Sequence, residues 1–175
     1  MAEPRKSISK IVSVLRNSVT PSGLVAQQRT QWNQTLSGAI ASKAVTVILD
    51  AATRNMLDAR TFATVATLGP HGEPHTSLIW VDRDDDTLVF STLAGRQKAR
   101  NLARDPRLSV TLFDLANPYH TVEIRGVADL IEDPDRALSH RVTHKYLGTD
   151  PPADPQGDRR LIVRVRPERI ITLSV

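Results

Sequence analysis

The chain contains no cysteine, which excludes disulfides, thiolate zinc sites, cysteine-ligated iron–sulfur clusters and cysteine nucleophiles together. That absence fits a reducing compartment and predicts a cytoplasmic location. No apolar run approaches the roughly 20 residues needed to cross a bilayer, so no membrane partner is expected. G-x-G-x-x-G and G-x-x-x-x-G-K-S/T are both missing, which removes the sequence basis for Rossmann and P-loop nucleotide chemistry. Acidic residues are scarce at one end only. Residues 1–43 hold six basic residues against the single acid Glu3, whereas the remainder holds 17 basic and 18 acidic. The formal charge of +4 therefore belongs to an appendage, and the main domain lacks the electrostatic footprint of a nucleic-acid binder.

Residues 1–43 read as a basic, partly disordered extension, and residues 44–175 as one domain. Within the extension Ile8, Ile11, Val12, Leu15 and Val19 fall at helical spacing before the break at Thr20-Pro21-Ser22-Gly23. Lys10 and Arg16 interrupt any apolar core of a secretory signal. The pattern sharpens at Asp50, a helix cap for a segment with Ala51, Ala52, Met56 and Leu57 inward. Strands are then expected over 62–68, 75–81 and 87–93, with turns at 69–74 and 82–86. A helix follows through Ala99, Leu102 and Ala103 and stops at Asp105-Pro106. Two strands at 108–115 and 121–131 lead to a helix with Pro134 in its first turn and Gly148 as its C-terminal cap. A Pro/Asp-rich loop over 149–158 and two short strands, 161–165 and 170–173, complete the chain. The order suggests a mainly β fold with flanking helices, a small closed or nearly closed barrel of six to seven mostly antiparallel strands.

The junction Ser91-Thr92-Leu93-Ala94-Gly95-Arg96-Gln97-Lys98 carries the most chemistry. A helix start offers unpaired N–H groups and a positive dipole end, and here hydroxyls, a glycine and two cations lie within one turn of it. Arginine can fork onto two phosphate oxygens while lysine supplies a mobile point charge. The same spacing equally describes Arg96, Lys98, Arg100 and Arg104 as the solvated face of an amphipathic helix.

Together with the meander before it, this junction resembles the pyridoxamine 5'-phosphate oxidase-like split-barrel flavoproteins, and most closely their actinobacterial branch that uses the deazaflavin coenzyme F420. The matching pieces are Phe62-Ala63-Thr64-Val65-Ala66-Thr67-Leu68, Gly72-Glu73-Pro74, Ser77-Leu78-Ile79-Trp80-Val81 and the run from Gly95 to Leu102 followed by Asp105-Pro106-Arg107. Asn117-Pro118-Tyr119, Val122-Glu123-Ile124-Arg125-Gly126 and Lys145-Tyr146-Leu147-Gly148 extend the likeness. It implies a homodimer with a cofactor site at the subunit seam. Arg96 and Lys98 would hold the cofactor phosphate, and Ser77, Leu78, Ile79 and Trp80 would lie along the ring. Ser91 and Thr92 would sit near the ribityl chain or phosphate, and Asn101 of the same motif counts with the binding residues. Trp80, His75 and Tyr119 would face the small-molecule substrate. The cofactor would carry the hydride chemistry, so no catalytic side chain is expected.

The implied activity is transfer of hydride from reduced F420 to an activated alkene, enone or quinone-like acceptor. FMN is the alternative cofactor, and a non-catalytic carrier of F420, a flavin or a haem breakdown product is the alternative of another class. F420 adds an oligoglutamate tail, for which Arg100, Arg104 and Arg107 are the available cations. Arg164, Arg166 and Arg169 do not make the arginine-and-tryptophan motif that true pyridoxamine phosphate oxidases use for substrate. His140 and His144 have metal-ligand spacing on a helix, but no HExxH glutamate and no third ligand lies near in sequence, so no metal is expected. Asp82, Asp84 and Asp86 imitate the opening of a calcium loop. Thr87 stands where that loop needs glycine and Leu93 where it needs glutamate, so a hairpin turn is expected instead.

Overall fold

The computed structural model describes residues 47–173, so the helical spacing at Ile8 to Val19 and the boundary at residue 43 lie outside the described residues. Asp50 caps helix α1 (Ala51–Asp58), its Oδ1 accepting from the Thr53 amide at 2.7 Å. Met56, Leu57 and Thr53 turn inward, whereas Ala51 and Ala52 face solvent, contrary to the expectation from their apolar character. The strands β1 (Phe62–Leu68), β2 (Pro74–Trp80), β3 (Asp82–Asp84) and β4 (Thr87–Leu93) form a meander that ends in helix α2 (Gln97–Arg104). Strands β5 (Arg107–Phe113) and β6 (Thr121–Glu132), helix α3 (Ala137–Leu147) and strand β7 (Arg160–Leu173) follow.

All seven strands belong to one antiparallel sheet in the order β2-β1-β5-β6-β7-β4-β3, a curled half-barrel whose two ends are β2 and β3. The long β6–β7 pair forms its spine. Leu88, Phe90, Val65, Val110, Leu112, Val122, Ile124, Val163 and Val165 alternate along their strands onto the concave side and are fully buried, the period-two pattern of a one-sided core.

Two departures from the sequence reading have local causes. The segment 82–86 is not turn throughout: Asp82–Asp84 pairs with β4 as a short strand, and Asp85 takes a left-handed conformation (φ 51°) at the tip. The expected pair of strands 161–165 and 170–173 is one strand, because a bulge opposite Arg125/Gly126 absorbs Glu168, next to Pro167, without ending the pairing. Proline in a sheet belongs at such a site, where no ladder hydrogen bond is lost. Helix α3 starts three residues after Pro134, where the buried Asp133 carboxylate accepts from the amides of Ala137 (2.8 Å) and Leu138 (3.2 Å). Gly148 closes it in the left-handed conformation (φ 73°), as expected.

The bulge brings Gly126 so close to β7 that a Cβ there would overlap the carbonyl oxygen of Arg166 and lie 3.2 Å from Pro167 Cα. Gly126→Ala must push the two backbones apart, and it is expected to destabilise the fold by about 2 kcal/mol, read as a shift in the urea unfolding midpoint.

Candidate functional site

Alternation along β4 decides which of its side chains are available. Leu88, Phe90 and Thr92 point into the core, so Val89, Ser91 and Leu93 point to the other face. Helix α3 covers that face, with Leu138 and Val142 against Val89, Trp80 and Ile162. Polar bonds hold α3 there. Tyr146 Oη accepts from the Val81 amide at 3.2 Å and donates to the Thr61 carbonyl. The half-buried Lys145 donates to the carbonyls of Leu57 and Val81, and burial lowers its pKa despite nearby Asp82. Arg141 pairs with Asp82 at 2.7 Å and with Asp84 at 2.8 Å. The hairpin tip that imitated a calcium loop thus spends its carboxylates on arginines, Asp86 likewise binding Arg54 at 2.7 Å.

Between α3, the ends of β2 and β4, the start of α2 and the loop after α3 lies a cavity of about 560 Å³. Its apolar side is made by Phe62, Leu78, Ile79, Trp80 and Leu93. The Trp80 indole is fixed from behind by Tyr146, the rings stacked at 5.1 Å with an interplanar angle of 11°. Its polar side holds Ser91, Arg96, Lys98, Ser139, Thr143, Asp154 and Arg160. Asp154 is satisfied by Arg160 and Arg136, and the Arg160 hydrogen bond holds its carboxyl below the usual aspartate range. Arg96 and Lys98 have no acidic partner among the described residues. Burial and the neighbouring Arg96 charge lower the pKa of Lys98. Three cations against one carboxylate, beside a flat apolar wall, suit a planar ligand with an anionic handle.

The start of α2 is held in place by a polar chain. Arg100 donates to the Gly95 carbonyl and to Gln97 Oε1. Gln97 Nε2 donates to Asn101 Oδ1 at 2.8 Å, and Asn101 Nδ2 donates to Thr67 Oγ1 at 2.9 Å. Asn101 is completely buried in doing so. Its role is therefore to fasten α2 to β1, and its side chain does not reach the cavity, contrary to its place among the expected binding residues.

Six of the expected residues, Leu78, Ile79, Trp80, Ser91, Arg96 and Lys98, line this cavity. Thr92 and Ser77 do not. Thr92 is buried in the core, and Ser77 pairs with Val65. His75 shares the parity of Ser77 and lies opposite Thr67, away from the cavity. Tyr119 sits 70% exposed in the β5–β6 loop. Arg104 donates to the Leu68 carbonyl and Arg107 pairs with Asp105 at 2.6 Å, so with Arg100 all three suggested tail cations already have partners. The sequence reading missed the far wall: Ser139, Val142 and Thr143 from α3, and Pro151, Pro152, Ala153, Asp154 and Pro155 from the following loop. The apolar stripe of α3 signalled that it packs, but not onto which face.

Residues 49–174 match the pyridoxamine 5'-phosphate oxidase family. This chain belongs to that family. The match spans the whole curled sheet, α3 and the cavity. An 88-residue stretch is 35% identical to a pyridoxine/pyridoxamine 5'-phosphate oxidase of Shewanella sp. strain MR-7, covering half of this chain but 38% of that protein. The chain thus matches well under half the length of that relative. Among solved structures, one named F420 reductase is 28% identical with a TM-score of 0.63, the match covering 70% of this chain and 98% of the other. A conserved hypothetical protein from Mycobacterium tuberculosis is also 28% identical, with a TM-score of 0.60, over 74% of this chain and 88% of that one.

The unpaired Lys98 gives a prediction with two signs. Its depressed pKa means the fold holds this proton less firmly than the unfolded chain. Ligand-free stability therefore rises with pH between that lowered pKa and the ordinary lysine value. A bound phosphate favours the ammonium, so its affinity falls across the same window. Lys98→Met is expected to weaken a phosphate-bearing flavin by ten- to a hundredfold, about 1.5 to 3 kcal/mol, without lowering the ligand-free melting temperature. Fluorescence titration and thermal unfolding over a pH series read both.

Proposed function

We propose that this protein is a coenzyme F420-dependent reductase that acts on an unsaturated small organic acceptor. The observation that carries the proposal is the pair of cations Arg96 and Lys98, without an acidic partner among the described residues, at the polar end of an apolar slot. The Ser91 hydroxyl supports it: it lines the slot, is buried, and has no hydrogen-bond partner among the described residues. A buried hydroxyl without a partner is costly, and a ligand oxygen supplies one. When bound, the deazaflavin supplies the hydride chemistry, passing hydride from its reduced ring to the electron-poor carbon of an alkene, enone or quinone. Arg96, Lys98 and Ser91 would hold the phosphate and its adjoining polyol, while Leu78, Ile79 and Trp80 seat the ring. Tyr146 fixes the Trp80 plane. The likeness to the structure named F420 reductase favours F420, and the likeness to the Shewanella oxidase favours the second reading, in which the same residues hold FMN.

The chain is proposed to act as a homodimer. Leu78 lines the slot yet is 68% exposed, and Phe62 beside it is 39% exposed, so one side of the ring seat lacks a cover that a second copy would provide. Wide apolar surface beside a binding site marks an interaction face.

Titration with F420 and FMN side by side tests the cofactor. F420 is expected to bind at least tenfold more tightly, and the protein is expected to accelerate oxidation of reduced F420 by a quinone above the rate in free solution. Preferential FMN binding with a yellow flavin spectrum establishes the second reading, and F420 binding without acceleration leaves a carrier. For the seam, sedimentation equilibrium is expected to give twice the 19.3 kDa chain mass, and Leu78→Lys is expected to yield a monomer with weakened cofactor binding.

A further inference from the structure

We propose that His140, His144 and Asp150 form a Zn²⁺ site that clamps the loop after α3 onto the helix and so sets the far wall of the cavity. His140 and His144 lie one turn apart on the outer side of α3, opposite the buried stripe of Leu138, Val142 and Tyr146. The left-handed turn at Gly148 folds the chain back, and Asp150 Oδ1 arrives 3.1 Å from His140 Nδ1 and 2.8 Å from His144 Nε2. The third ligand that the sequence did not offer is thus supplied by the turn. The three ligand atoms lie within 4.8 Å of one another. Zinc bonds to nitrogen and carboxylate oxygen near 2.0 to 2.2 Å require ligand atoms roughly 3.3 Å apart in a tetrahedron, so two of the three spacings need only a small adjustment. Two imidazoles and one carboxylate suit zinc, and three protein ligands leave a fourth position for water. With no cysteine in the chain, no thiolate competes for the ion.

The site's place in the chain gives it a consequence. Asp150 directly precedes Pro151 and Pro152, which line the cavity. The later part of this loop is already tied down, Asp154 by Arg136 and Arg160, and the Pro152 carbonyl by Arg136. Its first turn is held through Asp150 on the two histidines. An ion there converts a pair of exposed hydrogen bonds into a fixed junction between α3 and the proline wall.

The test uses the untagged full-length chain without cofactor, so its result is independent of the reductase reading. Calorimetric titration with zinc chloride is expected to show one ion per chain at micromolar affinity, and Co²⁺ at the same site is expected to give the visible bands of a four-coordinate centre. His140→Ala, His144→Ala and Asp150→Asn are each expected to weaken binding at least tenfold. His120→Ala, which removes a histidine lying 4.0 Å from Asp114, is expected to change nothing. All three ligands are exposed side chains, so the metal-free variants should melt with the parent. Zinc should slow amide hydrogen exchange in residues 149–155 in the parent and not in the His140→Ala/His144→Ala double variant. Absence of saturable binding below millimolar zinc, retention of binding in the double variant, or binding that leaves exchange of this loop unchanged overturns the proposal.

Discussion

The buried amide of Asn101 is the joint on which the site depends. It takes a hydrogen bond from Gln97 inside its own helix and gives one to Thr67 on β1, so helix α2 cannot rotate about its axis without stranding a polar group in the core. Such a stranded group costs on the order of 1 to 3 kcal/mol. That joint fixes the direction in which the first turn of α2 points. Arg96, itself exposed, and the half-buried Lys98 then both stand at the cavity. A residue that touches no ligand thereby determines where two charges sit.

A second constraint comes from the pleat. Neighbouring residues on a strand face opposite sides, so a binding motif written as consecutive residues divides its side chains between two faces. Ser91 faces the cavity and Thr92 the core; Leu78 and Trp80 share a face that Ser77 and His75 do not. The curl of the sheet brings the outer faces of β2 and β4 close enough for one helix to cover both. Helix α3 does this through its apolar stripe and through the hydroxyl of Tyr146 and the ammonium of Lys145, which satisfy backbone carbonyls at the ends of α1 and β2. The Lys145-Tyr146-Leu147-Gly148 motif is a docking device: two anchors, and a glycine that sends the chain back over the cavity.

Charge is divided along functional lines. The carboxylates of the β3–β4 hairpin are taken up by Arg54, Arg141 and Arg164, and Asp154 by Arg136 and Arg160. These partly exposed pairs contribute little to stability individually. Their effect is to leave the start of α2 with unneutralised positive charge. That imbalance lies at the polar end of an apolar slot, and only the arrangement in space reveals it.

Periodicity and turn chemistry in the chain alone determined strands β1, β2, β4, β5 and β6, the cap at Asp50 and the stop at Gly148, because hydrophobic alternation and backbone preference act over a few residues. The cationic junction was legible for the same reason: Gly95, Arg96 and Lys98 are neighbours in sequence. Other features were decided only by tertiary structure. Asn101 became a core residue because Thr67, distant along the chain, lies beside it; segments 161–165 and 170–173 became one strand because β6 offered a partner long enough to bridge Pro167. The meeting of His140 and His144 with Asp150 follows locally from helical spacing and the left-handed turn at Gly148. The far wall of the cavity depends instead on where α3 docks, a choice made by burial against strands far away in sequence that no local pattern encodes.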